Sequence, residues 1–351
     1  MTLPSNRLCG VIEGFYGRSW SFDTRLAYAG YLVRLGLNTC LYCPKSDPFL
    51  RKRWREHWPR QQWQQLLDLA AAYRHAQVNW GVGLSPYALY RDYGPIQRQQ
   101  LRDKVDRLAE LEAPLLAILF DDMPGDVADL AQRQAEIVAD VTHWLPAVHL
   151  LVCPTYYSFD PVLARHFGAM PDGYWQQLGA LLPAGAEVFW TGNRVCSETI
   201  RAGDIRDIVA LLGRPVLLWD NYPVNDGAVR SNFLYCHELT GRDCLPDNLV
   251  SGHLCNPMNQ ALLSLPALVG LATLYGDRCD SALLEEVLGE STWRHLRRDR
   301  ELFEQEGLSG LGPQRCRQLA AHYRALSGEA AAEVAGWLGG EYAFDPACLT
   351  D

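Results

Sequence analysis

The chain has 351 residues, 48% hydrophobic and 21% charged, with 32 Lys and Arg against 41 Asp and Glu and a formal net charge of −9. This composition supplies a large buried core and excludes a disordered or fibrous chain. The acidic surplus argues against a nucleic-acid partner, because phosphate binding needs clustered cations.

Short apolar runs, each ending in polar or small residues, alternate with helix-length segments of 3.6-residue periodicity. The predicted strands are Leu8–Phe15, Asn38–Lys45, Asn79–Ser85, Leu115–Asp122, His149–Tyr157, Glu187–Gly192, Pro215–Asn221 and Asn248–Asn256. The predicted helices between them are Asp23–Leu35, Arg60–Ala76, Ile96–Glu112, Val127–Trp144, Pro161–Leu182, Ile205–Leu212 and Gln260–Tyr275, with an irregular stretch after the seventh strand. Eight such units predict an α/β fold of the (β/α)8 TIM-barrel type over residues 1–276, with reactive groups at the carboxyl ends of the strands. An open doubly wound sheet shares the alternation, but the first strand lacks a Gly-x-Gly-x-x-Gly turn and polar residues end nearly every strand. Residues 277–351 predict a small helical region: Ser281–Glu290, Ser291–Glu306, Pro313–Ser327 and Gly328–Leu338.

The N-terminal residues carry no basic segment leading into a long apolar one, and no run approaches a membrane span of about 18 apolar residues. Neither a cleaved leader nor membrane association is expected. The eleven cysteines are odd in number and scattered, the pattern of reduced thiols in a cytoplasmic protein. Cys40 and Cys43 fall on opposite faces of a predicted strand. No His-x-His or His-Glu-x-x-His occurs, so no metal and no other cofactor is expected. The run from Arg51 to Arg60, with Trp54 and Trp58, reads as a loop and helix entry in which Trp54 and Arg55 pack locally.

The strongest local signal is Asp121-Asp122 after the strand core Ala-Ile-Leu-Phe. Such a pair serves as a helix cap, as an exposed loop pair or as chemistry at the barrel mouth. Adjacent carboxylates raise one another's pKa, which suits a group that must hold a proton near neutrality for a glycosidic leaving oxygen. Neighbouring positions do not suit the ordinary retaining arrangement, whose carboxyls sit about 5–5.5 Å apart across the scissile bond. They suit a substrate whose own 2-acetamido group is the nucleophile, gripped by one acid while the other transfers the proton.

Six ordered segments carry a resemblance: Cys9-Gly-Val-Ile-Glu13-Gly14-Phe-Tyr16-Gly17-Arg-Ser-Trp20, Asn38-Thr-Cys-Leu-Tyr42-Cys-Pro44-Lys45, Leu119-Phe-Asp121-Asp122, Cys153-Pro154-Thr155-Tyr156-Tyr157, Trp190-Thr191-Gly192 and Trp219-Asp220-Asn221 through Asp226. Together they resemble glycoside hydrolase family 84, the β-N-acetylglucosaminidases that include protein O-GlcNAcases and bacterial hyaluronidase-like enzymes. The resemblance runs from about Leu8 to about Tyr275. It implies an exo-acting enzyme that removes GlcNAc with retention through an oxazoline, acting on a GlcNAc-containing glycoside or glycoprotein. By position, Asp121 would polarise the acetamido N–H and Asp122 would be the general acid and then base. Gly14 and Lys45 would contact sugar hydroxyls, and Asp226 and Asn256 would hold the outer ones. Asn221 would support the centre, while Tyr157, Trp219 and Cys153 would wall the acetamido methyl. Ser19 and Cys43 stand where the family usually has proline and alanine. The pattern begins near residue 1, and the stretch beyond Tyr275 is short for a long helical stalk.

Taken singly, each residue has another reading. Lys45 is an ordinary solvated loop charge, Trp219 a barrel core residue, Asn256 a turn former before Pro257, Tyr157 a satisfied core tyrosine, and Gly14 a turn glycine. At the level of function the alternatives are a non-catalytic GlcNAc-binding protein, a hydrolase of another N-acetylhexosaminide, and a metal-dependent barrel hydrolase. The sequence leaves aglycone and oligomeric state open.

Overall fold

The computed structural model describes residues 7–276, 280 and 282–350. Eight parallel strands close into a barrel in chain order: β1 (Leu8–Glu13), β2 (Thr39–Tyr42), β3 (Asn79–Leu84), β4 (Leu115–Leu119), β5 (His149–Cys153), β6 (Glu187–Trp190), β7 (Val216–Asp220) and β8 (Val250–Cys255). Closure is made by β8 against β1, with Val11 level with Cys255. Helices cover the outside, so strands such as Leu-Leu-Ala-Ile-Leu of β4 are buried throughout and read as continuous apolar runs.

The strands stop one to four residues before the predicted ends, because pairing ceases where the chain splays into the rim. Gly14, Lys45, Asp121, Asp122, Tyr157, Asn221 and Asn256 therefore lie in the loops just past the strands. The first helix, α1 (Phe22–Leu35), begins where Ser21 accepts from the Thr24 amide at 3.0 Å and ends at Gly36 with φ 68°. Next come α2 (Arg60–His75), α3 (Pro95–Ala109) and α4 (Leu130–Trp144). The predicted helix Pro161–Leu182 is two, α5 (Val162–Phe167) and α6 (Tyr174–Leu181). Gly168 (φ 94°) and Gly173 (φ 66°) take left-handed backbone on either side of Pro171, whose ring cannot continue a helix. The remaining barrel helices are α7 (Ala202–Leu212) and α8 (Leu265–Tyr275), and after β7 only a short 3-10 turn forms at Arg230–Asn232.

The C-terminal helices are α9 (Ala282–Leu288), α10 (Glu290–Gln305), α11 (Gly307–Arg324) and α12 (Glu329–Leu338). The predicted boundary at 277, like the predicted helix start at Ser281, lies outside the described residues. Helix α11 starts earlier than expected and kinks at Gly312, directly before Pro313. These helices share the barrel's hydrophobic core through Leu284, Leu296, Phe303 and Trp337. Glu333 of α12 accepts from the Leu262 and Leu263 amides at 3.0 and 3.1 Å, and the Trp337 indole donates to the Ser231 carbonyl at 3.2 Å.

Candidate active site

The acid pair does not continue β4. Phe120 is pinned from both sides, its amide donating to the Cys153 carbonyl at 2.8 Å and its carbonyl accepting from the Thr155 hydroxyl at 2.9 Å. The chain then turns, and Asp122 adopts a left-handed φ of 54°, a conformation that aspartate tolerates better than most residues. Arg51 holds this turn, donating to the Asp122 carbonyl at 2.9 Å. The capping role is excluded: α4 begins at Leu130, with Asp129 at its N-cap position.

All ten residues singled out in the sequence line one cavity: Gly14, Lys45, Asp121, Asp122, Cys153, Tyr157, Trp219, Asn221, Asp226 and Asn256. Lys45 is not a solvated charge; its side chain is 3% exposed and ion-paired with Asp121 Oδ2. Burial opposes its charged form, but the carboxylates of Asp121 and Asp122 together outweigh that and hold its pKa above the ordinary lysine value. The other oxygen of Asp121, Oδ1, is buried and accepts no hydrogen bond from the described residues. An unpaired buried acceptor is costly in a finished core and useful where a ligand donor is to come.

Asp122 faces different partners. Its Oδ2 accepts from the Tyr16 hydroxyl at 2.7 Å and its Oδ1 from the Tyr157 hydroxyl at 3.2 Å. Arg51 in turn donates to the Tyr16 oxygen. Burial first, and the neighbouring Asp122 carboxylate second, push the Tyr16 phenol well above its usual range, so it stays a donor.

Across the cavity a chain of amides sets the wall. The Trp219 indole donates to Asn221 Oδ1 at 3.1 Å, Asn256 Nδ2 donates to the same oxygen at 2.9 Å, and the Gly14 amide donates to Asn256 Oδ1 at 3.1 Å. Asn221 Nδ2 completes the chain on the Val195 carbonyl at 2.9 Å. A Cβ on Gly14 would come within 2.1 Å of the Trp219 ring, so only glycine allows the indole its place. Asp226 Oδ2 accepts from the Tyr16 amide at 2.7 Å. Beneath the wall, Asp220 is buried with Arg242 at 2.7 and 2.8 Å and His253 at 3.0 Å. Burial alone would raise Asp220, but these partners overcome it and bring its pKa to about 2.

Sequence reasoning missed Tyr16 and Arg51 as site residues. Tyr16 stands within the first motif, between two glycines at a strand end. Arg51 belongs to a basic run whose other members behave as expected: Trp54 is buried, with the Arg55 guanidinium 4.4 Å over its ring. Arg51 instead points inward, 8% exposed. Thr191, Val195, Val224, Cys348 and Thr350 also reach the cavity.

A closed parallel barrel with neighbouring carboxylates at its C-terminal rim has the architecture of the barrel glycoside hydrolases. The chain belongs to the β-N-acetylglucosaminidase family, whose sequence pattern matches residues 9–298. That match runs past Tyr275 into α10, further than the six motifs reach. The chain is similar to the Protein O-GlcNAcase of Rattus norvegicus, 28% identical over 296 residues, covering 81% of this chain and 31% of that protein. It is equally similar to the Protein O-GlcNAcase of Mus musculus, 29% identical over 293 residues with the same coverage. The chain thus spans about a third of the length of these curated relatives. Among solved structures, a point mutant of the Thermobaculum terrenum O-GlcNAc hydrolase superposes with a TM-score of 0.76 at 26% identity, covering 95% of this chain and 80% of that one.

Proposed function

We propose that the chain hydrolyses terminal β-linked GlcNAc with retention, the substrate's acetamido group serving as nucleophile. The observation that carries this reading is the buried, unpaired Oδ1 of Asp121, an acceptor suited to an amide N–H, beside an Asp122 held by two tyrosine hydroxyls. The acetamido carbonyl oxygen attacks C1 as the C1–aglycone bond breaks, and Asp122 gives its proton to the leaving oxygen. Asp121 takes up the N–H hydrogen bond and stabilises the oxazoline that forms. Water then attacks C1, Asp122 accepts its proton, the ring of the oxazoline opens, and GlcNAc leaves with its configuration kept.

In this reading Asp226 and Asn256 hold outer hydroxyls, Gly14 and Lys45 contact sugar hydroxyls, Asn221 supports the centre, and Trp219, Tyr157 and Cys153 wall the acetamido methyl. Residues 1–276 form the catalytic barrel and 277–351 a helical region that buttresses it. The setting is cytoplasmic, consistent with cysteines that are all unbridged among the described residues. No described helix is long and apolar enough to cross a membrane. The substrate is a GlcNAc-bearing glycoside or glycoprotein.

The test is a series of aryl β-GlcNAc substrates with increasingly fluorinated acetyl groups. The rate should fall steeply as the carbonyl loses nucleophilicity; a flat response removes the oxazoline. In the same assay Asp122→Asn should harm poor leaving groups far more than activated phenols, whereas Asp121→Asn should damage both, by about 100-fold or more.

A further inference from the structure

The segment 339–350 after α12 returns across the barrel rim. Tyr342 lies under the Arg18 guanidinium, 5.0 Å from it, and Glu341 is 3.6 Å from the same group. Asp345 then organises a turn, its carboxylate accepting from the Ala347 amide at 2.9 Å and its carbonyl from the Cys348 amide at 3.0 Å. The turn delivers Cys348 and Thr350 into the cavity. The Cys348 thiol donates to Asp226 Oδ1 at 3.7 Å, and Thr350, 8% exposed, lines the same cavity as Tyr157. With the segment in place Cys348 and Thr350 form part of the cavity lining beside Asp226 and Tyr157, where a terminal sugar would otherwise meet those two side chains.

We propose that residues 345–350 are a built-in occluder of the sugar pocket, competing with the terminal sugar for Asp226 and Tyr157 and withdrawing when a glycoside binds. The proposal rests on the sugar-pocket reading above. The ion pair at the base of the segment is a weak anchor. Arg18 and Glu341 are both more than half exposed, an arrangement that contributes little. Phe344 and Leu349 flank the turn at 44% and 50% exposure, outside the core. Occlusion lowers apparent affinity by the fraction of molecules that stand open.

The experiment uses the full chain carrying Cys348→Asp, which sets a carboxylate against Asp226, and separately Thr350→Ala. One readout is KM and kcat on an aryl β-GlcNAc. The other, independent of activity, is the rate at which N-ethylmaleimide modifies Cys153 on the cavity wall, with the core thiol Cys9 as internal reference. The expected result is a KM lowered by about 3- to 10-fold at unchanged kcat, and several-fold faster Cys153 modification. An unchanged or raised KM, as a passive wall would give, or an unchanged Cys153 rate, overturns the proposal. If neither parent nor variant cleaves any glycoside, the glycosidase reading falls, and the Cys153 rate alone decides occlusion.

Discussion

Asp226 is almost fully buried, and burial lifts its carboxyl to about 6, against the pull of the Tyr16 amide and with a smaller push from Asp122. Between pH about 4 and about 6 the folded chain keeps a proton that the unfolded chain, with a carboxyl near 3.9, has released. Its contribution to stability therefore falls as pH rises through that window and stays low above it. Asp226→Asn should raise stability at pH 8 by up to about 3 kcal/mol, with the gain fading toward pH 4, while glycoside affinity drops. Thermal melts of the two chains across pH 4–8 check this; an advantage independent of pH removes the account. The same residue shows why the site was readable in part. Carboxylates, amides and aromatics at strand ends announce themselves, whereas Arg51 sits among exposed cations and only the path of its loop turns it inward.

At the scale of elements, strand ends matter more than strand interiors. Gly14 follows β1 and Trp219 is next to last in β7, so their contact ties two strand ends that lie far apart in sequence. Gly14→Ala should displace the indole and loosen the Asn221–Asn256 chain. A stability loss of about 1–3 kcal/mol is expected from the overpacking, together with a rise in KM of about tenfold or more. Denaturant melts and initial rates measure the two effects; wild-type values in both would show that Trp219 shifts freely. Periodicity found the strands and most helices because burial on one or both faces imposes it. It joined α5 and α6, since the apolar spacing continues across Gly168–Gly173 while the backbone does not. It likewise marked Pro313 as a helix start, where the chain has already run one helical segment before the kink.

For the whole molecule, the C-terminal helices and the barrel share one core. Trp337 is buried, its ring centroid 5.2 Å from that of Phe303, and its indole bonds the loop after β7. Trp337→Ala should cost about 3–5 kcal/mol and lower the single melting transition of the entire chain. Two separated calorimetric transitions would mean that barrel and helices melt independently. Packing of this kind leaves little trace in a sequence read segment by segment, and so does the return of residues 345–350 to the cavity. Both depend on where distant elements meet. The acid pair differs in this respect, because one planar peptide unit joins Asp121 to Asp122. Covalent geometry fixes the spacing of their Cα atoms, while Arg51, Lys45, Tyr16 and Tyr157 from other loops set where the carboxyls point. Breathing of the rim can alter what is admitted to this centre and how its acids are aimed, yet it cannot part the two residues that carry them.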